Sequence, residues 1–168
     1  MGMYGPFIVR PADGGNRAWT GGPAFDRDYV WLLSEYDSRW HDRPNGVNFA
    51  FYNPDYFLIN GKADPHPAGD TSTKVSLKAG QVALIRLINA GYLVQKVTLG
   101  GMPFELVASD GRPYDTPEAA DEVTLAPGER YDLLVSAASP AKVTATVEYL
   151  NWYGQSVRGT AHVPVQFA

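Results

Sequence analysis

The sequence contains no cysteine. That excludes disulfides, zinc–thiolate sites, thiol nucleophiles and every metal centre that depends on a thiolate ligand. It leaves the compartment open, because an exported domain of this size folds without a disulfide. Histidine is scarce: His41, His66 and His162 stand far apart along the chain. No close ligand spacing such as H-x-x-x-H occurs, so a metal site built from them requires the fold to bring them together. Basic charge is not in excess either. Lys and Arg number 14 against 18 Asp and Glu, for a net charge of -4 and a pI near 5.3. No basic footprint for a phosphate backbone or an anionic lipid surface results, so nucleic acid and membrane are not expected partners. Long apolar runs of the roughly 18 residues needed to span a bilayer are missing, as are the charged and apolar regions of a signal peptide. Neither a G-x-S-x-G nucleophile elbow nor a P-loop is present.

What the chain does have is a regular supply of strand and turn residues. At 168 residues, 45% hydrophobic and 12% aromatic, it is long and apolar enough to bury one sizeable core, and residues 1–168 are expected to form a single domain. Its 17 glycines and 13 prolines are spread along the sequence, which favours many short strands joined by tight turns. Period-two or continuous β-branched and aromatic runs predict strands over 5–9, 28–35, 56–60, 74–77, 81–89, 94–99, 104–109, 122–125, 130–136, 142–149 and 162–167. Such spacing argues for a two-sheet sandwich or a barrel. One helical turn is expected near Thr116–Asp121, where Thr-Pro-Glu fits an N-cap followed by Pro at the first helical position. The Gly-, Pro- and Asn-rich stretches 11–23 and 43–54 read as surface loops.

Two segments echo each other. VSLKAGQ (Val75 to Gln81) and VTLAPGE (Val123 to Glu129) both place Val-x-Leu before a Gly-containing turn and a new apolar strand, as corners of a Greek key do. Asn60-Gly61 and Asp110-Gly111 suit hairpin turns that need positive φ, and Pro127-Gly128 suits a type II turn. Arg130, at a strand start, is placed to pair with Asp110 or Glu129. In LIRLINAG (Leu84 to Gly91) a single Arg86 interrupts a run that reads as a strand buried on most of its length.

Candidates for chemistry are thin. His41 in RWHD neighbours Asp42 and Asp37, and His66 in ADPHPAGD lies between Asp64 and Asp70; a mixed imidazole–carboxylate site for Cu or Zn is one reading, loop histidines among solvated acids the other. Asp115, Glu118, Asp121 and Glu122 offer carboxylates for acid–base work, although an exposed loop explains their spacing. Trp31, Trp40, Trp152 and Tyr153 either line a ligand cleft or pack in the core and between domains. No residue stands out as catalytic, cofactor-binding or metal-binding.

Several segments, taken in order, resemble the multicopper oxidase family of laccase-like enzymes. GMYGPFIV (2–9) is similar to the end of a first cupredoxin domain and the linker after it. LSEYDSRWHD (33–42) and YFLINGK (56–62) resemble the first strand, loop and next strand of the second domain. LIRLINAG, FELVASDGRP (104–113) and LAPGERYDLLV (125–135) complete the pattern. The resemblance implies an all-β, Greek-key β-sandwich, cupredoxin-like (plastocyanin-like). It also implies a role, since the first and third domains of such enzymes carry His-x-His copper ligands and the third adds the Cys and His of the type 1 site. This chain has neither motif, and so is similar to the copper-free second domain. The resemblance then implies no cofactor in this chain and copper in the parent. It also implies no activity alone, neighbouring cupredoxin domains as partners, and a parent exported to the periplasm or outside the cell. Self-association is expected from apolar surface at Met3, Tyr4, Phe7 and Ile8 and at Asn151 to Tyr153. Two other readings remain: an independent β-sandwich that binds carbohydrate or protein through its Trp-bearing loops, and a small metallo-oxidase around His41 and His66.

Overall fold

The computed structural model describes residues 3–64, 71–152 and 155–168. Among these residues twelve strands follow in chain order: β1 (Arg27–Tyr36), β2 (Tyr56–Ile59), β3 (Lys62–Ala63), β4 (Val75–Leu77), β5 (Val82–Asn89), β6 (Val94–Thr98), β7 (Phe104–Ser109), β8 (Arg112–Ala120), β9 (Glu122–Leu125), β10 (Arg130–Ser136), β11 (Ala141–Leu150) and β12 (Val157–Phe167). They form a seven-stranded sheet in the order β3-β2-β1-β5-β10-β7-β8 and a five-stranded sheet in the order β4-β12-β11-β6-β9. Two pairings are parallel, β1 with β5 and β4 with β12; the other pairings are antiparallel.

Alternation of side chains across each strand fills the space between the sheets. Trp31 and Leu33 of β1, Ala83, Ile85 and Leu87 of β5, Val97 of β6, Leu133 and Val135 of β10, Val147 and Tyr149 of β11 and Val163, Val165 and Phe167 of β12 meet in one buried cluster. Burying a side chain of this size contributes on the order of 2 kcal/mol. Two polar hooks fix the layers further. Tyr149 on the five-stranded sheet donates its hydroxyl to the carbonyl of Leu58 on the other sheet at 2.8 Å, and Trp31 Nε1 donates to Thr73 O at 3.0 Å. Gly159, opposite Tyr149 in the ladder, has no side chain because the Phe57 ring occupies that volume: a Cβ there would lie 2.1 Å from Phe57 Cε2. The Phe57 and Tyr149 rings are 5.1 Å apart.

The echoing segments are the corners. β4 and β9 lie in the five-stranded sheet, and the strands that follow them, β5 and β10, lie in the seven-stranded sheet. In each turn a backbone bond closes the corner, Gln81 N to Lys78 O at 3.1 Å and Glu129 N to Ala126 O at 3.0 Å. The same residue's side chain then caps it: Gln81 Oε1 accepts from Lys78 N at 2.9 Å and Glu129 Oε2 from Ala126 N at 2.7 Å. Gly80 and Gly128 take φ of 84° and 87°, which glycine adopts without strain. Asn60-Gly61 and Asp110-Gly111 close the β2–β3 and β7–β8 hairpins with all four residues at positive φ, the type I′ pattern. Arg130 pairs with Asp110, Nη1 to Oδ1 at 2.9 Å.

The outer face of the seven-stranded sheet carries Leu84 and Arg86, which alternate with the core residues of β5. Ala18 and Phe25 of the first loop cover Leu84. Arg86 is buried, donates to Asp132 Oδ2 at 2.6 Å, and lies 3.9 Å from Asp28, which also meets Arg10 at 2.7 Å. Desolvation pushes the Asp132 carboxyl up, and Arg86 offsets that only in part.

Three expectations are corrected. No strand forms over 5–9. The segment finds no ladder partner among the described residues, and Phe7 and Val9 stay exposed; β propensity acts only where a neighbouring strand completes the hydrogen bonds. The helical turn expected at Thr116–Asp121 is instead part of edge strand β8. Between Leu106 and Ala108 the β7–β8 register shifts, so that Tyr114 to Pro117 lie opposite the single Val107. Pro117 thus sits in a bulge on an edge strand, where its missing N–H costs no ladder bond. The helical residues fall where a loop was expected: α1 (Ser38–Asp42) and short 3-10 turns at Pro44–Gly46 and Phe49–Phe51.

Candidate functional site

The inward row of β1 runs Trp31, Leu33, Glu35, so a carboxylate occupies the position where the apolar core reaches one end of the sandwich. Glu35 is buried. Its Oε1 accepts the backbone N–H groups of Tyr92 and Leu93, the latter at 2.9 Å, and the Tyr52 hydroxyl at 3.3 Å; Oε2 accepts Gln95 Nε2 at 3.3 Å. All these partners are neutral. Burial therefore raises the Glu35 pKa above its ordinary value, with the hydrogen bonds opposing it. Gly91 packs so closely on this carboxylate that a Cβ would fall 2.1 Å from Oε2. Tyr52, half-buried beside Glu35, has its phenol pushed far up, first by desolvation and then by the neighbouring charge.

Two residues on, Asp37 caps α1. Its Oδ1 accepts from Arg39 N at 3.1 Å and Arg39 Nε at 2.8 Å, and Oδ2 accepts Arg39 Nη2 and Asn53 N at 3.0 Å. The Arg39 guanidinium holds this carboxyl down to about 2. Capping and chain reversal bring Trp40 over Tyr52, ring centroids 4.7 Å apart, and Tyr52 meets Tyr92 edge-on at 5.3 Å. A cavity of about 630 Å³ opens here. Tyr4, Tyr36, Trp40, Tyr52 and Tyr92 supply its aromatic wall, and Glu35 and Asp37 are its only ionisable carboxyl residues among the described residues.

The residues singled out from sequence are dispersed. His41 lies on α1 with its ring 5.8 Å from that of Tyr36, while His162 on β12 meets Asp64 Oδ2 at 2.8 Å. His66, Asp70 and Tyr153 lie outside the described residues. Among the described residues no three His, Asp or Glu side chains converge as a metal ion would require. Asp115 and Glu118 line the exposed edge strand β8, Asp121 follows it, and Glu122 lies 3.9 Å from Lys96. Trp31 is core; Trp152 is half exposed and donates Nε1 to Tyr92 O at 2.9 Å. Glu35, Tyr36, Tyr52 and Tyr92 were not singled out. The available signal was a Glu continuing the period-two apolar row of a buried strand.

The two sheets, their corners and their strand order define a cupredoxin-like β-sandwich. The profile of the multicopper oxidase family matches residues 27–157, and the chain belongs to that family. Laccase-20 of rice (Oryza sativa subsp. indica) is 34% identical over 149 residues, covering 82% of this chain and 24% of the relative. The cell division protein FtsP of Edwardsiella tarda (strain FL6-60) is 35% identical over 110 residues, covering 63% of this chain and 20% of its own. Among solved structures, the blue copper oxidase from Nitrosomonas europaea superposes with a TM-score of 0.66 at 27% identity, over 83% of this chain and 43% of the other. The chain thus spans about a quarter of the length of the curated laccases it matches. Copper is the metal that the family implies. The donor set here does not fit a copper centre of the kinds described above, since there is no thiolate and no His-x-His, and His41 and His162 have separate surroundings.

Proposed function

We propose that this chain is the copper-free middle cupredoxin domain of an exported multicopper oxidase. It spaces and orients two copper-bearing cupredoxin domains, helps to wall the substrate-oxidation site, and has no oxidase activity alone. The observation that carries this reading is family membership combined with a donor set lacking both Cys and His-x-His. The short span against the laccases supports it, because proteins of their length have room for further domains.

Copper titration of the purified chain tests the proposal. Neither the intense visible absorption of a copper–thiolate bond nor oxidation of phenols is expected, the first because that band needs a sulfur ligand. Weak Cu(II) binding through His41 or His66 is compatible with the proposal and is expected to be lost on His41→Ala or His66→Ala. A blue copper-loaded chain, or one that oxidises phenols, overturns it. Sequence flanking this segment in the parent gene is expected to encode His-x-His motifs on both sides.

A further inference from the structure

The Tyr–Trp cavity is unlike the rest of the surface. Its walls bring together five aromatic rings from four parts of the chain: Tyr4 from the first segment, Tyr36 from β1, Trp40 and Tyr52 from the α1 region, and Tyr92 from the β5–β6 turn. Glu35 and Asp37 stand in the same wall, and among the described lining residues there is no Lys, Arg or His. Aromatic faces and carboxylates share one property, a negative potential directed at whatever lies over them. Asp37 is already paired with Arg39. Glu35 is different: each of its hydrogen-bond partners is neutral, so its negative charge is not matched by a guanidinium or ammonium in those contacts.

The wall is also held in place before any ligand arrives. Trp40 and Tyr52 are in ring contact, Tyr52 is in ring contact with Tyr92, and the Tyr52 hydroxyl is fixed on Glu35 O at 3.1 Å. Preorganised rings need little reordering on binding, which favours affinity. A neutral apolar ligand would gain from the rings but would leave Glu35 in a drier site with no counter-charge. A cation gains from both.

We propose that this cavity binds a small organic cation, with an ammonium or alkylammonium group seated against Trp40, Tyr52 and Tyr92 near Glu35. The site lies on the copper-free sandwich itself and does not depend on the role of that sandwich in a larger oxidase. At about 630 Å³ it admits ligands larger than the charged group alone.

The experiment compares choline with 3,3-dimethyl-1-butanol, which has the same shape without the charge, by NMR titration and tryptophan fluorescence of the whole chain. Choline is expected to shift the Trp40 signals saturably and to bind on the order of tenfold tighter than the neutral compound. Trp40→Ala is expected to weaken choline by about tenfold and Trp40→Phe to restore part of it; Glu35→Gln is expected to narrow the gap between the two probes. Equal binding of the two compounds by the native chain overturns the proposal and marks the cavity as an apolar seat. Choline shifts that ignore Trp40→Ala in a variant with native melting also overturn it. Because the first comparison uses only the native chain, it stands even where a variant fails to fold.

Discussion

Replacing Glu35 by Ala removes the side-chain acceptor for four donors at once, Tyr92 N, Leu93 N, Gln95 Nε2 and the Tyr52 hydroxyl, of which only Tyr52 keeps another acceptor, the backbone carbonyl of residue 35. Tyr92 is half exposed, so water can reach its N–H, but Leu93 and Gln95 are buried. An unsatisfied buried donor costs about 1–3 kcal/mol. Two of them give about 2–6 kcal/mol, from which the relief of no longer burying a carboxylate subtracts, leaving about 2–3 kcal/mol. For a chain of this length each kcal/mol moves Tm by about 2–4 °C, so Glu35→Ala is expected to melt roughly 5–10 °C lower. Glu35→Gln keeps an acceptor for both backbone N–H groups. Its new amide can also donate to Gln95 Oε1, a buried atom with no hydrogen-bond partner among the described residues. That variant is expected within about 1 kcal/mol of the native chain. The pH dependence separates charge from shape. Because burial raises the Glu35 pKa above 4.5, the native fold holds that proton more tightly than the unfolded chain does. The resulting stabilisation is complete below the unfolded pKa and is lost as pH rises through the folded value. Glu35→Gln has no such loss, so it should gain on the native chain as pH climbs from the acid side of 4.5 to neutrality. Calorimetric melting of the three proteins across that range is the assay. An Ala variant within about 2 °C of native, or a Gln variant as damaged as the Ala one, refutes the account of Glu35 as a buried acceptor.

Gly159→Val should cost about 1–3 kcal/mol in urea unfolding, because the new side chain meets the Phe57 ring and drives it off Tyr149; a neutral effect would mean that the ring yields freely. Arg86→Met should cost about 3 kcal/mol by leaving Asp132 and Asp28 facing each other without their shared cation, and adding Asp132→Leu should recover most of it. Equal losses in the single and double variants would show that packing of the Arg86 stem, not charge, sets the cost. With Met3, Tyr4, Phe7 and Trp152 exposed, sedimentation coefficients should rise with concentration, and deleting residues 1–8 should reduce the rise. A strictly monomeric chain, with solubility and Tm unchanged by the deletion, removes the case for a sticky first segment.

Local chemistry made much of the sandwich legible. Asn60-Gly61, Asp110-Gly111 and Pro127-Gly128 each announce a turn because few other residue pairs tolerate the required φ, and the Val-x-Leu echo marks two of the crossings between the sheets. Legibility failed where a distant partner decides the outcome. Thr116-Pro117-Glu118 has a credible helix start, yet β7 lies alongside and captures it into a bulged edge. The 5–9 run has strand residues and, among the described residues, no strand beside it. The aromatic cavity was harder still, since Glu35, Trp40, Tyr52 and Tyr92 become neighbours only after Asp37 caps α1 and the β5–β6 turn folds over Glu35. Trp40 stands out in the sequence by its size, whereas Glu35 is one polar residue inside an ordinary strand.

The place of β12 has a consequence for how the chain is made. This strand, the twelfth in sequence, is second in its sheet, parallel to β4 and antiparallel to β11. Beyond it, Ala168 N donates to Leu77 O and Ala79 N to Ala168 O, so even the first corner is completed from residue 168. During synthesis, β4 therefore waits with an unpaired apolar edge while some eighty residues emerge, about 4–16 s at ordinary elongation rates. The seven-stranded sheet waits about half as long, since its last strand, β10, which pairs with β5 and β7, is complete at Ser136, before β11 begins. A nascent chain stalled before Val157 would present a half-built layer to chaperones and proteases, and removal of even a few residues after Val163 should be far more damaging to yield than removal of an equal number before Arg10.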